Sequence, residues 1–138
     1  MRIAIDAMGG DNAPDEIIAG ALEATGLLKD DDELVLIGNK TDIENILPAR
    51  KLRKKPVSIV EAPDIIGMAD PPIESLRKKP RSSIGIMAKL AKHQQADAVI
   101  SAGNTGACVA ACQMRMRNLP GVIRPGIAVV FPTFEGPV

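Results

Sequence analysis

The sequence contains no tryptophan and no tyrosine, and its only aromatic residues are Phe131 and Phe134. Single-strand nucleic-acid binders that stack bases need an aromatic platform, so the composition argues against that class. Two cysteines, Cys108 and Cys112, do not make a disulfide framework. They stand one helical turn apart in an alanine-rich stretch and read as small buried apolar side chains. A metal site needs more ligands than this spacing supplies. The one histidine, His93, has no serine or cysteine placed as an obvious partner and reads as a solvated helix-end residue. No run reaches the ~18 apolar residues of a membrane span. Asp6 interrupts the first apolar stretch before a signal-peptide core can form, so a soluble, cytoplasmic protein is the default expectation.

Net charge is lacking too: 17 basic residues balance 17 acidic ones. The charges are clustered, however. Asp30-Asp31-Asp32-Glu33 is an acidic run, and Arg50–Lys55 and Arg77-Lys78-Lys79-Pro80-Arg81 are basic ones. Local basic clusters in a neutral chain suit an anionic ligand or an acidic partner better than a nucleic-acid duplex.

What is present fits one α/β domain over residues 1–138. Arg2–Ala7, Leu34–Ile37, Val57–Val60, Ala98–Ile100 and Ile127–Phe131 are short apolar runs that predict strands. Between them, Ile17, Ile18, Ala21, Leu22, Thr25 and Leu28 fall on one helical stripe, after a start at Asp11–Glu16 with Asp or Asn as cap. Thr41-Asp42-Ile43-Glu44 matches a capping box opening a short helix up to Pro48. The proline-rich stretch from Glu61 to Pro80 predicts a long excursion with a short helix near Pro72–Lys78. Ser82-Ser83 begins a helix that buries Ile84, Met87, Ala88 and Ala91. The helix after Gly106 is apolar on nearly every side at its start, which predicts burial all round. This alternation implies a mostly parallel sheet with helices on both faces. The ending, Glu135-Gly136-Pro137-Val138, reads as the interior of a longer protein.

Two glycine-rich segments follow predicted strands: Asp6-Ala7-Met8-Gly9-Gly10-Asp11 and Ser101-Ala102-Gly103-Asn104-Thr105-Gly106. Ligands of open parallel sheets bind at such strand ends. Glycine there lets backbone N–H groups approach an anion, and the next helix adds its positive terminus. Asn104 and Thr105 add neutral donors. Neither segment is a dinucleotide or P-loop fingerprint. Without a ligand, both are simply tight turns. Asp6 and Asp11 could hold a cation or orient a cationic side chain, but Asp11 as a helix cap is the preferred reading. Arg77, Arg81, Ser82 and Ser83 at a helix start suit phosphate, with a solvated basic loop as the plain alternative.

Arg2–Pro14, Ser101–Ala107, and Arg77-Lys78-Lys79 with Ser82-Ser83-Ile84 resemble, in order and spacing, three hallmarks of the phosphate acyltransferase (PlsX) family of fatty acid and phospholipid synthesis. The resemblance covers essentially the whole chain. It implies acyl transfer from acyl carrier protein to inorganic phosphate, and a fold similar to isocitrate and isopropylmalate dehydrogenases. It also implies a homodimer, at most peripheral membrane contact, and no metal or organic cofactor. Asn104 and Thr105 are then the catalytic candidates. The substrate-binding candidates are Asp6, Gly9, Gly10, Asp11, Arg77, Arg81, Ser82, Ser83, Ser101, Gly103 and Gly106. Asn12 stands where family members often carry His. Members are more than twice as long, so the missing remainder is expected to complete the pocket and the dimer contacts. Two other readings stay open: a phosphate acetyl- or butyryltransferase acting on acyl-coenzyme A, against which Asp6–Asp11 argues, and a non-catalytic phosphate-binding domain.

Overall fold

The computed structural model describes residues 1–47, 57–128, 132–133 and 136–137. Four parallel strands form the sheet: β1 (Arg2–Asp6), β2 (Glu33–Gly38), β3 (Val57–Glu61) and β4 (Ala98–Ile100). Their order is β3-β2-β1-β4. Five helices connect and cover them: α1 (Asp15–Ala24), α2 (Lys40–Ile46), α3 (Pro72–Lys78), α4 (Ser83–Lys92) and α5 (Thr105–Met116). Two further two-residue strands, β5 (Pro132–Thr133) and β6 (Gly136–Pro137), pair antiparallel.

The period of two along each strand divides the core. Ile5, Leu34, Leu36 and Val57 point to one face, where Ile18, Ala21 and Leu22 of α1 and Ile43 of α2 cover them. Ala4, Val35 and Ile37 point to the other, packing against Met87 of α4 and Ala62 and Ala96 of the connections. β2, a central strand, is covered on both sides: Leu34, Leu36 and Ile37 are at most 2% exposed. Burial of each such side chain is worth ~1.5–3 kcal/mol, so this double covering anchors the sheet. The parallel α/β class is as the sequence predicts, and so is the apolar stripe of α1.

Four local expectations need correction. Asp11 does not cap α1: residues 11–14 form turns, Pro14 occupies the cap position after a cis Ala13–Pro14 peptide, and no side chain caps the helix. Thr41 does not cap α2, because Asn39, two residues earlier, takes the cap and accepts from the N–H groups of Thr41 and Asp42, at 3.0 and 3.3 Å. α5 is not buried all round: only Ala107 and Ala111 are buried, where the helix meets α4, while Met114 is 57% exposed. Ile127 and Ala128 lie outside any strand. Residues 129–131 lie outside the described residues, as do Pro48, the Arg50–Lys55 run and Phe134.

Candidate functional site

Strand order locates the site. From β1 the chain moves outward to β2 and β3, then returns to place β4 on the other side of β1. The connections after β1 and β4 therefore diverge at a topological switch point, where open parallel sheets take their ligands. Both glycine-rich segments lie there.

They are locked together by a buried carboxylate. Asp6, 1% exposed, accepts from its own loop through the Met8 N–H (3.1 Å) and from the other loop through the Ser101 hydroxyl (2.7 Å). Ser101 Oγ in turn accepts from the Gly103 N–H at 3.1 Å. The loops then touch backbone to backbone. A Cβ on Gly9 would lie 2.4 Å from Asp6 Oδ2 and 2.8 Å from Gly103 N. Gly9 and Gly103 thus allow the two turns to pack against each other. Gly10, at φ +121°, completes the first turn in a conformation that L side chains rarely adopt.

A third element joins them. After β3 the chain makes an excursion whose tip, residues 64–71, arches over the start of α5. A parallel bridge pairs Asp64 with Ser82, and Lys79 Nζ reaches Ile65 O (2.7 Å) and Asp70 Oδ2 (2.8 Å). Asp70 Oδ2 also accepts from the Gly67 N–H at 3.0 Å. The Lys79 ammonium first, and this N–H second, hold the Asp70 carboxyl below the usual carboxylate range. Asn104, 6% exposed, donates its amide to the carbonyls of Gly67, Met68 and Asp70 at 2.9–3.1 Å. Its Oδ1 caps α5 by accepting from the Ala107 N–H at 2.9 Å. Gly106 fits beneath α3, since a Cβ there would stand 2.7 Å from Pro72 Cγ.

The sequence-predicted residues therefore divide into two groups. Asp6, Gly9, Ser101, Gly103 and Asn104 form the internal frame. Ser82 and Ser83 belong with it: they are 0% and 2% exposed, and Ser82 Oγ caps α4 by accepting from the Gly85 N–H. Their hydroxyls do not face solvent. Asp11, Arg77, Arg81, Thr105 and Gly106 are exposed. Of the cations in the basic stretch, Lys78 pairs with Glu74 and Lys79 with Asp70, whereas among the described residues Arg77 and Arg81 are in no ion pair. The two arginines are thus the cations free to meet an anion. The pairing of Lys79 with Asp70 is not legible in the sequence, because nothing in a mixed-charge, proline-rich stretch marks which charges pair.

Away from this frame, a groove of about 420 Å³ runs along the outer side of α5, lined by Cys108, Cys112, Met116, Leu119 and Val122 among others. Cys108 and Cys112 are half-buried and stand one helical turn apart on α5, each the main influence on the other's thiol. That proximity raises the Cys108 thiol, which burial raises further, and lowers Cys112 to about 7. His93 is exposed at the end of α4, as its position in the sequence suggests. Among the described residues no helix is long and apolar enough to cross a membrane.

Comparison with known proteins agrees with the motifs. Residues 1–138 match the family described as fatty acid synthesis protein. The chain is 47% identical over 132 residues to the phosphate acyltransferase of Thermosynechococcus vestitus, covering 96% of this chain and 38% of that protein. The Nostoc punctiforme phosphate acyltransferase is 47% identical over 133 residues, with the same coverages. That of Salinibacter ruber is 42% identical over 138 residues, covering 98% of this chain and 40% of the relative. The chain thus spans about two fifths of the length of these curated relatives, and it belongs to the fatty acid synthesis protein family that its own motifs resemble.

Proposed function

We propose that the chain contributes one wall of a phosphate acyltransferase site, in which a fatty acyl group passes from the thioester of acyl carrier protein to inorganic phosphate. The observation that carries this reading is the convergence of three segments at the switch point. The two glycine turns and the arch together frame the N-terminus of α5, with Thr105 exposed at its first position. A helix N-terminus favours anions, and Arg77 and Arg81 lie on the segment that leads into the frame.

The chemistry asks for little beyond this. A phosphate oxygen attacks the thioester carbonyl carbon, and the C–O bond forms as the carbonyl oxygen takes up negative charge. Collapse breaks the C–S bond, giving acyl phosphate and the carrier thiolate, which takes a proton. Phosphate is its own nucleophile, so no Ser–His pair is required. The protein's work is to hold a dianion in line with the carbonyl and to stabilise the oxyanion. Thr105 is the side chain of this chain placed to donate there. Asp6, Ser101 and Asn104 hold the frame. We extend the reading to a cytoplasmic homodimer touching the membrane at most peripherally, its remaining pocket residues lying outside this sequence.

The test is acyl phosphate production, trapped as the hydroxamate, from palmitoyl-acyl carrier protein and phosphate. It would compare this chain with a full-length protein carrying it, and palmitoyl-coenzyme A with the carrier-bound donor. Hydroxamate from the full-length protein with the carrier-bound donor is expected. Product only from the coenzyme A thioester would replace the donor, and none from either would sink the reading.

A further inference from the structure

The composition of Ser101–Gly106 suggests Asn104 as a donor to bound phosphate, yet its side chain is fully engaged within the protein. Two amide hydrogens are shared among three carbonyl oxygens, and Oδ1 is occupied by the Ala107 N–H. No donor is left for a ligand. The three carbonyls all belong to the arch. The arch has little else to hold it: Ile65 and Met68 are 42% and 51% exposed, and only Ile66, 4% exposed, packs inward, beside Ile84, Ala88, Ala107 and Ala111. Lys79 and Asp70 fasten the far side.

We propose that Asn104 is a positioning residue: it clamps residues 67–70 to the N-terminus of α5 and acts on a bound anion through the arch, without touching it. The second half rests on the functional reading above, and the first does not. The clamp sets how far the arch stands from the helix start, and so how much room an anion has beside Thr105. The same side chain caps the helix, so one residue ties the helix start to the wall facing it.

The test combines amide hydrogen exchange with a titration of inorganic phosphate followed in ¹⁵N spectra, both on a full-length protein carrying this chain. Asn104→Ser and Asn104→Asp both keep an oxygen for the Ala107 N–H, and neither offers an N–H to the three carbonyls. Exchange at Gly67 and Asp70 is expected to rise ~10-fold or more, the size expected for losing hydrogen bonds of ordinary strength, with β2 and β3 unchanged. Phosphate affinity is expected to fall in the same variants. Asp70→Asn, which weakens the Lys79 side while leaving Asn104 intact, provides a second variant if the others fail to fold, and should loosen the same amides. Unchanged exchange at 67–70 overturns the clamp. Weakened phosphate binding with unchanged exchange overturns it too, since Asn104 would then touch the anion. Faster exchange with unchanged affinity overturns the action through the arch. If the unsubstituted full-length protein binds no phosphate, the functional reading and the anion half fail together, and exchange alone decides the clamp.

Discussion

Gly9→Ala adds one methyl group where, among the described glycines, an added Cβ would meet its nearest neighbour. The new Cβ would sit 2.4 Å from Asp6 Oδ2, 2.8 Å from Gly103 N and 2.9 Å from Gly103 Cα. Two of these three atoms are backbone, so no flexible side-chain end can yield to all of them. Either the turns separate or the Asp6 carboxylate swings away. Separation is an overpacking cost of ~1–3 kcal/mol. Displacement of Asp6 leaves a buried acceptor and the Ser101 hydroxyl without each other, at ~1–3 kcal/mol. The variant should therefore lose roughly 1–3 kcal/mol by either route, a large share of the ~5–15 kcal/mol that stabilises a domain. Urea denaturation should show the midpoint falling with little change in slope, and the melting temperature should drop by about 4–12 °C. Gly20→Ala is the matched control. Gly20 lies on the exposed side of α1 with nothing within 4 Å of the added Cβ, so alanine should stabilise by ~0.5–1 kcal/mol. If Gly9→Ala melts within ~2 °C of the parent, or the two substitutions act alike, the back-to-back packing of the turns is refuted.

Other expectations follow from the same contacts. Ser101→Ala removes both the donor to Asp6 and the acceptor of the Gly103 N–H, and should cost ~1–3 kcal/mol in urea denaturation; a neutral result would mean that solvent reaches Asp6. Asp70, held low by Lys79 and the Gly67 N–H, contributes its anchoring fully above the ordinary aspartate pKa of ~3.9, and loses it as pH falls through the lowered value. A carboxyl NMR titration should place Asp70 below that reference, and Lys79→Met should move it back up; an unmoved midpoint would remove Lys79 as the cause. Cys112, lowered to about 7, should be alkylated well before Cys108 at neutral pH, and Cys108→Ala should slow it. Equal labelling of both thiols would contradict that mutual influence.

The fold was legible because its signal is local. The apolar runs of β1 to β4 and the stripe of α1 depend on residues a few places apart, and periodicity reports those directly. Helix ends were less legible, because several residues compete for one cap: Asn39 prevails over Thr41, and the Asp11 turn stops short of α1. The exposure of α5 depends on what packs against it, which its apolar composition does not state. The segments at the switch point are legible in the sequence, but the partners of their residues are not. Glycines expected to admit a ligand also admit each other. Ser82 and Asn104, expected to face phosphate, face their own chain. Those roles rest on partners remote in sequence: Asp6 with Ser101, 95 residues away, and Asn104 with Gly67, 37 away. Spacing within a motif carries no record of such pairings.

The strand order has a consequence for how the domain comes to be built. β1, β2 and β3 can pair as soon as the first 61 residues exist, because each joins its sequence neighbour. β4 must close a loop of about two thirds of the chain to reach β1, and such long-range closures come late and slowly. The Asp6–Ser101 clasp is therefore among the last contacts made and, by the same ordering, among the first undone. Variants in the clasp should hasten unfolding while leaving the folding rate nearly untouched, whereas variants in β2 should slow folding itself. During synthesis, then, three of the four strands can pair before the Ser101–Gly106 turn exists to meet Asp6.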